Sequence, residues 1–301
     1  MKVFLYTTFS LVAFAFNSIL CRLALRGYEA DAAGFAAVRL VAGAITLIFV
    51  SFVCASPRVS KGDKGTLKVS PSLTVGLVQY GSWPSAFFLF AYAICFSLAY
   101  VDLTAGTGAL ILFGSVQLTM IAVSLVRGER PPMLEWLGLV LAVSGLVYLV
   151  FPGLASPPLY SSLLMAAAGA SWGFYTLRGK SGGDPLKNTT GNFIRSVPMI
   201  AIAAIPFLSK IQLSSRGIML AVLSGAVTSG IGYTVWYAAL KYHTSTRAAV
   251  LQLAVPVIAA TVGVLLLDET ATVRLGVAAA LILGGIGLTI GGRKSVSVAR
   301  T

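Results

Sequence analysis

The chain has 301 residues, of which 57% are apolar and only 10% are charged, with a net charge of +13. Soluble domains average about 25% charged residues, so this composition and a mean hydropathy of +0.90 exclude a water-soluble globule. The long unbroken apolar runs also exclude a transmembrane barrel, whose strands alternate polar and apolar residues over about ten positions. We therefore predict an all-α, polytopic membrane protein.

Apolar runs long enough to form membrane spans follow one another along the chain. A helix needs about 20 apolar residues to cross about 30 Å of hydrocarbon. The longest run, 136–177, is divided by Pro152 and Pro157 into two spans, because proline interrupts a helix. Two other spans each contain one arginine, Arg39 and Arg195. The sequence thus predicts ten transmembrane helices, at about 3–21, 32–53, 81–99, 104–126, 133–151, 159–177, 191–209, 216–240, 246–267 and 273–291.

The basic residues predict the orientation of these spans. With ten spans both termini share one side, and that side collects Lys2, Arg58, Lys61, Lys64, Lys68, Arg127, Arg130, Arg178, Lys180, Lys187, Lys241, Arg247, Arg293, Lys294 and Arg300. The other side has only Arg22, Arg26, Lys210, Arg216 and Arg274. Cytoplasmic loops carry the excess of Lys and Arg, so both termini are expected in the cytoplasm. The positive charge is therefore explained by topology, and no nucleic-acid partner is expected.

The chain also contains an internal repeat. Segments 107–149 and 247–289 both read as a helix, a short turn containing Glu, and a second helix with Gly near its end. Upstream, Arg39 matches Arg195 at an offset of 156 residues. The repeat unit is five helices, and an odd number inverts the second copy in the membrane. We expect a first five-helix repeat at 1–151, a second, inverted repeat at 159–292 and a basic cytoplasmic tail at 293–301.

The pattern AAVLQLAVPVIAATVGVLLLDET, followed by LGVAAALILGGIGL, resembles the EamA domain of the drug/metabolite transporter superfamily. A weaker first copy ends in RGERPP and LGLVLAVSGLVYL, so the resemblance spans nearly the whole chain. It implies ten helices, cytoplasmic termini and export of small metabolites through the bacterial inner membrane. Within the superfamily the chain is most similar to the YddG-type exporters of aromatic and other neutral amino acids.

Polar and aromatic residues well inside the spans are the candidates for substrate binding, because inverted-repeat transporters place the site near the bilayer midplane. Aromatic rings with a hydrogen-bonding end suit a partly apolar solute. The candidates are Asn17, Arg39, Phe90, Tyr92, Trp172, Tyr175, Tyr233, Trp236 and Tyr237. Each aromatic residue has an alternative role in packing or the interfacial belt. Arg39 either clamps a substrate carboxylate or binds helix-end carbonyls.

Helix-breaking residues are the candidates for gating. Gly106, Gly108 and Gly114 lie in the fourth span, and Pro256 lies in the ninth, its repeat-related partner. They serve either as hinges or as sites of close packing and a tolerated kink.

The sequence carries no recognisable catalytic, metal or cofactor motif, so we expect neither an enzyme nor a metalloprotein. No Asp or Glu lies in the middle of a span, which favours a facilitator or exchanger over a proton-coupled carrier. The alternatives are a channel, or an exporter of other small organic solutes such as drugs and cationic compounds.

Overall fold

The computed structural model describes residues 2–54, 79–126, 133–151, 156–179, 183–243, 251–252 and 254–298. Across these residues the backbone is helical, apart from turns, short connections and one antiparallel bridge between Ala30 and Leu213. The helices are α1 (Lys2–Arg26), α2 (Ala32–Cys54), α3 (Trp83–Ala99), α4 (Ala105–Val126), α5 (Met133–Val150), α6 (Leu159–Gly179), α7 (Pro185–Ala204), α8 (Ser215–Leu223), α9 (Gly232–Leu240), α10 (Ala254–Leu267) and α11 (Val273–Val298). A 3₁₀ turn, Ile205–Lys210, follows α7.

Side-chain caps fix where several helices begin. Ser82 accepts a hydrogen bond from the Ser85 amide at the start of α3, and Asp184 accepts from two amides at the start of α7. Such caps satisfy amides that have no partner within the helix. The sequence predicts a span from residue 191, whereas α7 begins at Pro185. A prediction from apolar runs omits the first part of α7 because that part is polar. Asp184 followed by Pro185 is nevertheless a typical helix start.

The helical rod at 215–240 contains an irregular turn. Between α8 and α9 the residues Ser224–Ile231 form a π-helix, so the rod continues without interruption but with one widened stretch. Such π segments occur often at functional sites. A Cβ on Gly225 would lie 2.1 Å from the carbonyl oxygen of Arg39, so only glycine lets this segment approach α2 so closely.

Several helices are long and apolar enough to cross a membrane. Five meet this criterion by length and composition: Lys2–Arg26, Ala32–Cys54, Ala105–Val123, Pro185–Ser209 and Ser215–Leu240. Shorter apolar helices are Trp83–Ala99, Trp136–Val150, Ala254–Leu267 and Val273–Leu288. Among the predicted spans, residues 246–250 and 253 of the ninth lie outside the described residues. The all-helical architecture agrees with the polytopic membrane protein predicted from composition.

Two helices, α1 and α6, lie near the middle of the bundle. α1 packs against the 215–240 rod and α10, while α6 packs against α3 and α4. Around them α2 pairs with α7, α4 with α10, and α5 with α11. One large cluster of buried apolar side chains runs through this bundle. At the centre of the bundle, polar and aromatic side chains from several helices lie close together.

Candidate functional site

A small cavity lies in the centre of the bundle, between α1, α3, α4, α6 and α9. The free space inside it is about 10 Å³, room for roughly one water molecule, and it is lined by Phe14, Asn17, Tyr92, Leu112, Phe113, Trp172 and Tyr233. Binding sites for small molecules usually span about 300–1,000 Å³. In this conformation the cavity is therefore too small to hold a metabolite-sized molecule.

Aromatic rings form most of the cavity wall. Trp172 contacts Tyr233 with ring centroids 4.5 Å apart and Tyr92 at 5.1 Å. Phe14 packs edge-on against Trp172 at 5.8 Å and against Tyr233 at 5.7 Å. Edge-to-face and tilted pairs of this kind are the favoured geometry for aromatic rings. The wall thus presents flat apolar faces whose polar groups are concentrated at the tyrosine hydroxyls.

Arg39 lies directly behind these hydroxyls and is only 1% exposed. Its Nη2 donates to the hydroxyl of Tyr233 at 2.8 Å and to that of Tyr92 at 3.2 Å, and its Nε donates to Ser229 Oγ at 3.0 Å. The guanidinium also lies over the rings of Tyr92 and Phe96, at 5.0 and 4.9 Å from their centroids. Arg39 thus binds side-chain hydroxyls and not helix-end carbonyls. Its alternative role as a clamp for a substrate carboxylate stays a prediction.

Asn17 joins α1 to the same polar cluster. Its Nδ2 donates to the Tyr92 hydroxyl at 3.1 Å. Its Oδ1 accepts from Ser224 Oγ at 2.6 Å and from Thr228 Oγ1 at 3.1 Å. Both donors are in the π segment, whose widened turn places them on the α1 side. Asn17 therefore links three elements around the cavity.

The residues predicted from the sequence fall into three groups. Asn17, Tyr92, Trp172 and Tyr233 line the cavity, and Arg39 is one hydrogen bond behind it. A second layer is formed by Tyr175, Trp236 and Tyr237, which contact Trp172, Phe14 and Tyr175 respectively. Phe90 is partly buried, packs against the apolar core and does not line the cavity.

Sequence reasoning missed several residues of the site. Phe14, Leu112 and Phe113 line the cavity but belong to uniformly apolar runs. Phe14 precedes Asn17 by three positions, so a shared helix face was the available signal. The hydroxyls of the π segment gave no comparable signal, because serine and threonine are common in membrane helices.

The predicted gating residues lie in close helix contacts. A Cβ on Gly106 would be 2.8 Å from the Cβ of Ala260 in α10, and one on Gly108 would be 2.4 Å from the Tyr100 ring. Gly114 faces Leu146 at a looser 3.3 Å. Pro256 is buried near the start of α10, and α4 is continuous from Ala105 to Val126. In this conformation the glycines permit close packing of α4.

A polar network closes one end of the bundle, which we call the Glu269 end. The Glu269 carboxylate accepts from the Ala105 amide at 2.9 Å, at the start of α4, and from Arg22 Nε at 3.4 Å. Arg22 also donates to the carbonyls of Tyr100 and Val101 at 3.0 and 2.7 Å. Burial raises the pKa of Glu269, although the Ala105 amide and Arg22 oppose this shift. The network joins α1, α4 and the α10–α11 connection.

The opposite end, which we call the Arg178 end, is closed by other contacts. Arg178 Nε donates to Ser85 Oγ at 3.1 Å, and Asn192 Oδ1 accepts from the Ser82 amide at 2.9 Å. Arg195, expected deep in a span, donates to the carbonyl of Tyr80 just before α3. The lone histidine is in the turn after α9, and its Nε2 lies 2.8 Å from Thr7 Oγ1. Polar contacts thus join the helices at both ends of the bundle.

Within the described residues, no group of His, Cys, Asp or Glu is arranged to hold a metal ion. Cys21, Cys54 and Cys95 are free thiols.

Comparisons with known proteins agree with this architecture. The family model described as "EamA-like transporter family" matches residues 159–291. An uncharacterized protein of Pseudomonas aeruginosa is 43% identical over 292 residues, covering 97% of this chain and 96% of the relative. An uncharacterized transporter of Archaeoglobus fulgidus is 26% identical over 208 residues, covering 66% of this chain and 72% of the relative. A solved crystal structure has the same fold, with a TM-score of 0.64 at 17% identity over 96% of this chain and 98% of that one. The chain therefore belongs to the EamA-like transporter family of the drug/metabolite transporter superfamily.

Proposed function

We propose that this multi-pass membrane transporter exports small metabolites, namely aromatic and other neutral amino acids, by alternating access. It works as a facilitator or exchanger in a bacterial inner membrane, with both termini in the cytoplasm. The observation that carries the substrate proposal is the central cavity, whose aromatic wall ends in the hydroxyls of Tyr92 and Tyr233. A solute with a flat apolar body and one polar end matches this surface.

The helix contacts support two inverted five-helix repeats. α6 packs against α3 and α4, and the helix related to it by the repeat, α1, packs against the 215–240 rod and α10. The repeat-related pairs α2 and α7, α4 and α10, and α5 and α11 each pack together. Such exchange of contacts is what a pseudo-two-fold axis through the bundle produces. The cavity lies where the two sets meet, as in other transporters built from inverted repeats.

Alternating access requires the two ends to open in turn. The Glu269 end and the Arg178 end are held by different helices and by separate polar contacts. Each end can therefore open while the other stays closed. We place the hinges at Gly106, Gly108 and Gly114 of α4 and at Pro256 of α10, because α4 and α10 pack together beside the cavity.

The acidic residues support transport without proton coupling. Asp102 accepts from Ser161, and Glu29 accepts from Ser214, both outside the cavity. Glu269 is at the end of the bundle. These carboxylates hold connections together, so the substrate's own gradient drives net flux.

Counterflow in proteoliposomes tests the proposed function. Vesicles loaded with unlabelled phenylalanine should take up labelled phenylalanine with saturable kinetics. Trp172→Ala should lower transport efficiency about tenfold, equivalent to about 1.4 kcal/mol, because it removes the ring that contacts Tyr92 and Tyr233. Trp136→Ala is the matched control, since Trp136 is 47% exposed on the outer surface of α5. Equal kinetics in both variants would remove Trp172 from the substrate path, and unsaturable flux would indicate a channel.

A further inference from the structure

The central cluster contains a buried cation without a carboxylate partner. Arg39 is 1% exposed, and its partners are three hydroxyls and two ring faces. The ion pairs among the described residues involve other cations, Arg22, Lys187 and Arg216. Arginine does not lose its proton at accessible pH. A buried charge of this kind is costly unless it is paired, so the cluster is incomplete as an electrostatic unit.

One nitrogen of Arg39 also lacks a hydrogen-bond partner. Among the described residues Nη1 contacts no acceptor, although it is buried. The other two nitrogens of the same guanidinium are occupied by Ser229, Tyr92 and Tyr233. An additional anionic acceptor in the cluster would give Nη1 a hydrogen-bond partner and balance the positive charge of Arg39.

Tyr92 and Tyr233, which both line the cavity, leave one hydroxyl proton unused. The Tyr233 hydroxyl lies 3.3 Å from that of Tyr92, so one of the two protons is used between them. Both oxygens already accept from Arg39, and that of Tyr92 also accepts from Asn17. The remaining hydroxyl proton has no acceptor among the described side chains. Because the guanidinium polarises both hydroxyls, this proton is a strong donor for a ligand in the cavity.

The cavity lining offers a cation only aromatic ring faces, and these lie beside the positive charge of Arg39. Asn17 Oδ1 has two lone pairs, and Ser224 and Thr228 occupy them. No carboxylate is among the residues described as lining the cavity. An ammonium group would therefore meet Arg39 at short range with neither an acceptor nor a counter-ion.

We infer that the central site recognises its substrate by a carboxylate, bound at the hydroxyls of Tyr92 and Tyr233 beside Arg39, and makes no use of an amino group. The inference rests on the proposed function, since it takes this cavity to be the transport site. It defines the substrate class more narrowly: monocarboxylates with an aromatic or bulky apolar body bind at least as well as the amino acids of the same shape. Arg39 is a positioning residue that orients and polarises the hydroxyls.

A set of compounds with one ring and different polar ends tests this inference. Binding to purified protein in nanodiscs is followed by tryptophan fluorescence, with Trp172 in the cavity wall as the reporter. The probes are 3-phenylpropionate, phenylalanine and 2-phenylethylamine. We expect 3-phenylpropionate to bind at least as tightly as phenylalanine, and 2-phenylethylamine to bind at least tenfold more weakly. Equal affinity for the amine and the carboxylate would overturn the inference, and so would a lack of binding by 3-phenylpropionate.

Variants connect the selectivity to the named groups. Tyr92→Phe keeps the ring but removes the hydroxyl, and should weaken 3-phenylpropionate about tenfold or more. Arg39→Gln should reduce the ratio of carboxylate to amine affinity, which a purely structural role would leave unchanged. Tyr160→Phe is the control, because Tyr160 is 71% exposed at the start of α6. If Arg39→Gln does not fold, Tyr92→Phe decides, and unchanged affinities in Tyr92→Phe would refute the assignment.

The binding and counterflow experiments distinguish failure of this inference from failure of the proposed function. Binding of 3-phenylpropionate without counterflow of phenylalanine would sustain carboxylate recognition and refute amino-acid export. Counterflow of phenylalanine with equal binding of the amine and the carboxylate would support amino-acid export and refute carboxylate recognition.

Discussion

The contact between α2 and the π segment depends on Gly225, and its replacement by alanine tests the geometry of the site. The added Cβ would lie 2.1 Å from the Arg39 carbonyl oxygen and 2.8 Å from the carbonyl carbon. Both are backbone atoms, so no side chain can move aside. The two segments must separate, and this stretches the hydrogen bond from Arg39 to Ser229.

Overpacking of this kind costs about 1–3 kcal/mol, and a backbone clash places Gly225→Ala at the upper end of that range. Gly276→Ala is the matched control, because a Cβ there meets no atom within 4 Å. At an open helical position the same change stabilises by about 0.4–1 kcal/mol. The two variants should therefore differ by about 3–4 kcal/mol.

Reversible denaturation in mixed micelles measures this difference, and the binding of 3-phenylpropionate provides a second readout. Gly225→Ala should unfold at lower denaturant concentration than Gly276→Ala and should also bind the ligand more weakly. Equal stability of the two variants would refute the close approach of the π segment to Arg39.

Three further predictions concern the polar groups. Asn17→Leu removes the bonds to Tyr92, Ser224 and Thr228 and should cost about 1–3 kcal/mol of unfolding free energy; a stability equal to wild type in the same denaturation assay would contradict the role of Asn17. Burial raises the pKa of Glu269, so the folded state binds the carboxyl proton more tightly than the unfolded state does. Wild type should therefore lose stability relative to Glu269→Gln as the pH rises from about 4.5 through the raised pKa. Parallel pH profiles of the melting temperature would show that this carboxyl does not titrate as described. An imposed pH gradient should not drive uphill uptake of phenylalanine in proteoliposomes, and accumulation abolished by an uncoupler would refute uncoupled transport.

Much of the helical architecture could be predicted from the sequence, because apolar runs of membrane length have few alternatives to a helix. The predicted span at 32–53 corresponds to α2, Ala32–Cys54. The π segment could not be predicted. It depends on which carbonyl each amide reaches, and a pattern of apolar residues carries no information on that or on the close contact of Gly225 with α2.

Part of the site was also within reach of sequence reasoning. Helical spacing placed Tyr233, Trp236 and Tyr237 on one face, and all three are buried in the structure. Helical spacing does not show how far each side chain lies from the centre of the bundle, however. It therefore could not show that, of these three residues, only Tyr233 lines the cavity. It also could not separate Phe14, which is 6% exposed, from Phe16, which is 36% exposed in the same apolar helix.

Access of the cavity to both sides of the membrane tests alternating access most directly. In a background with Cys21→Ala, Cys54→Ala and Cys95→Ala, a Phe113→Cys substitution places one thiol in the cavity wall. In oriented vesicles we expect a membrane-impermeant thiol reagent to modify it from either side, and saturating 3-phenylpropionate to slow both reactions. Val257→Cys, at a position 52% exposed on the outer surface of α10, should show no such protection. Modification of Phe113→Cys from one side only, or from both sides without protection, would contradict a transport cycle centred on this cavity.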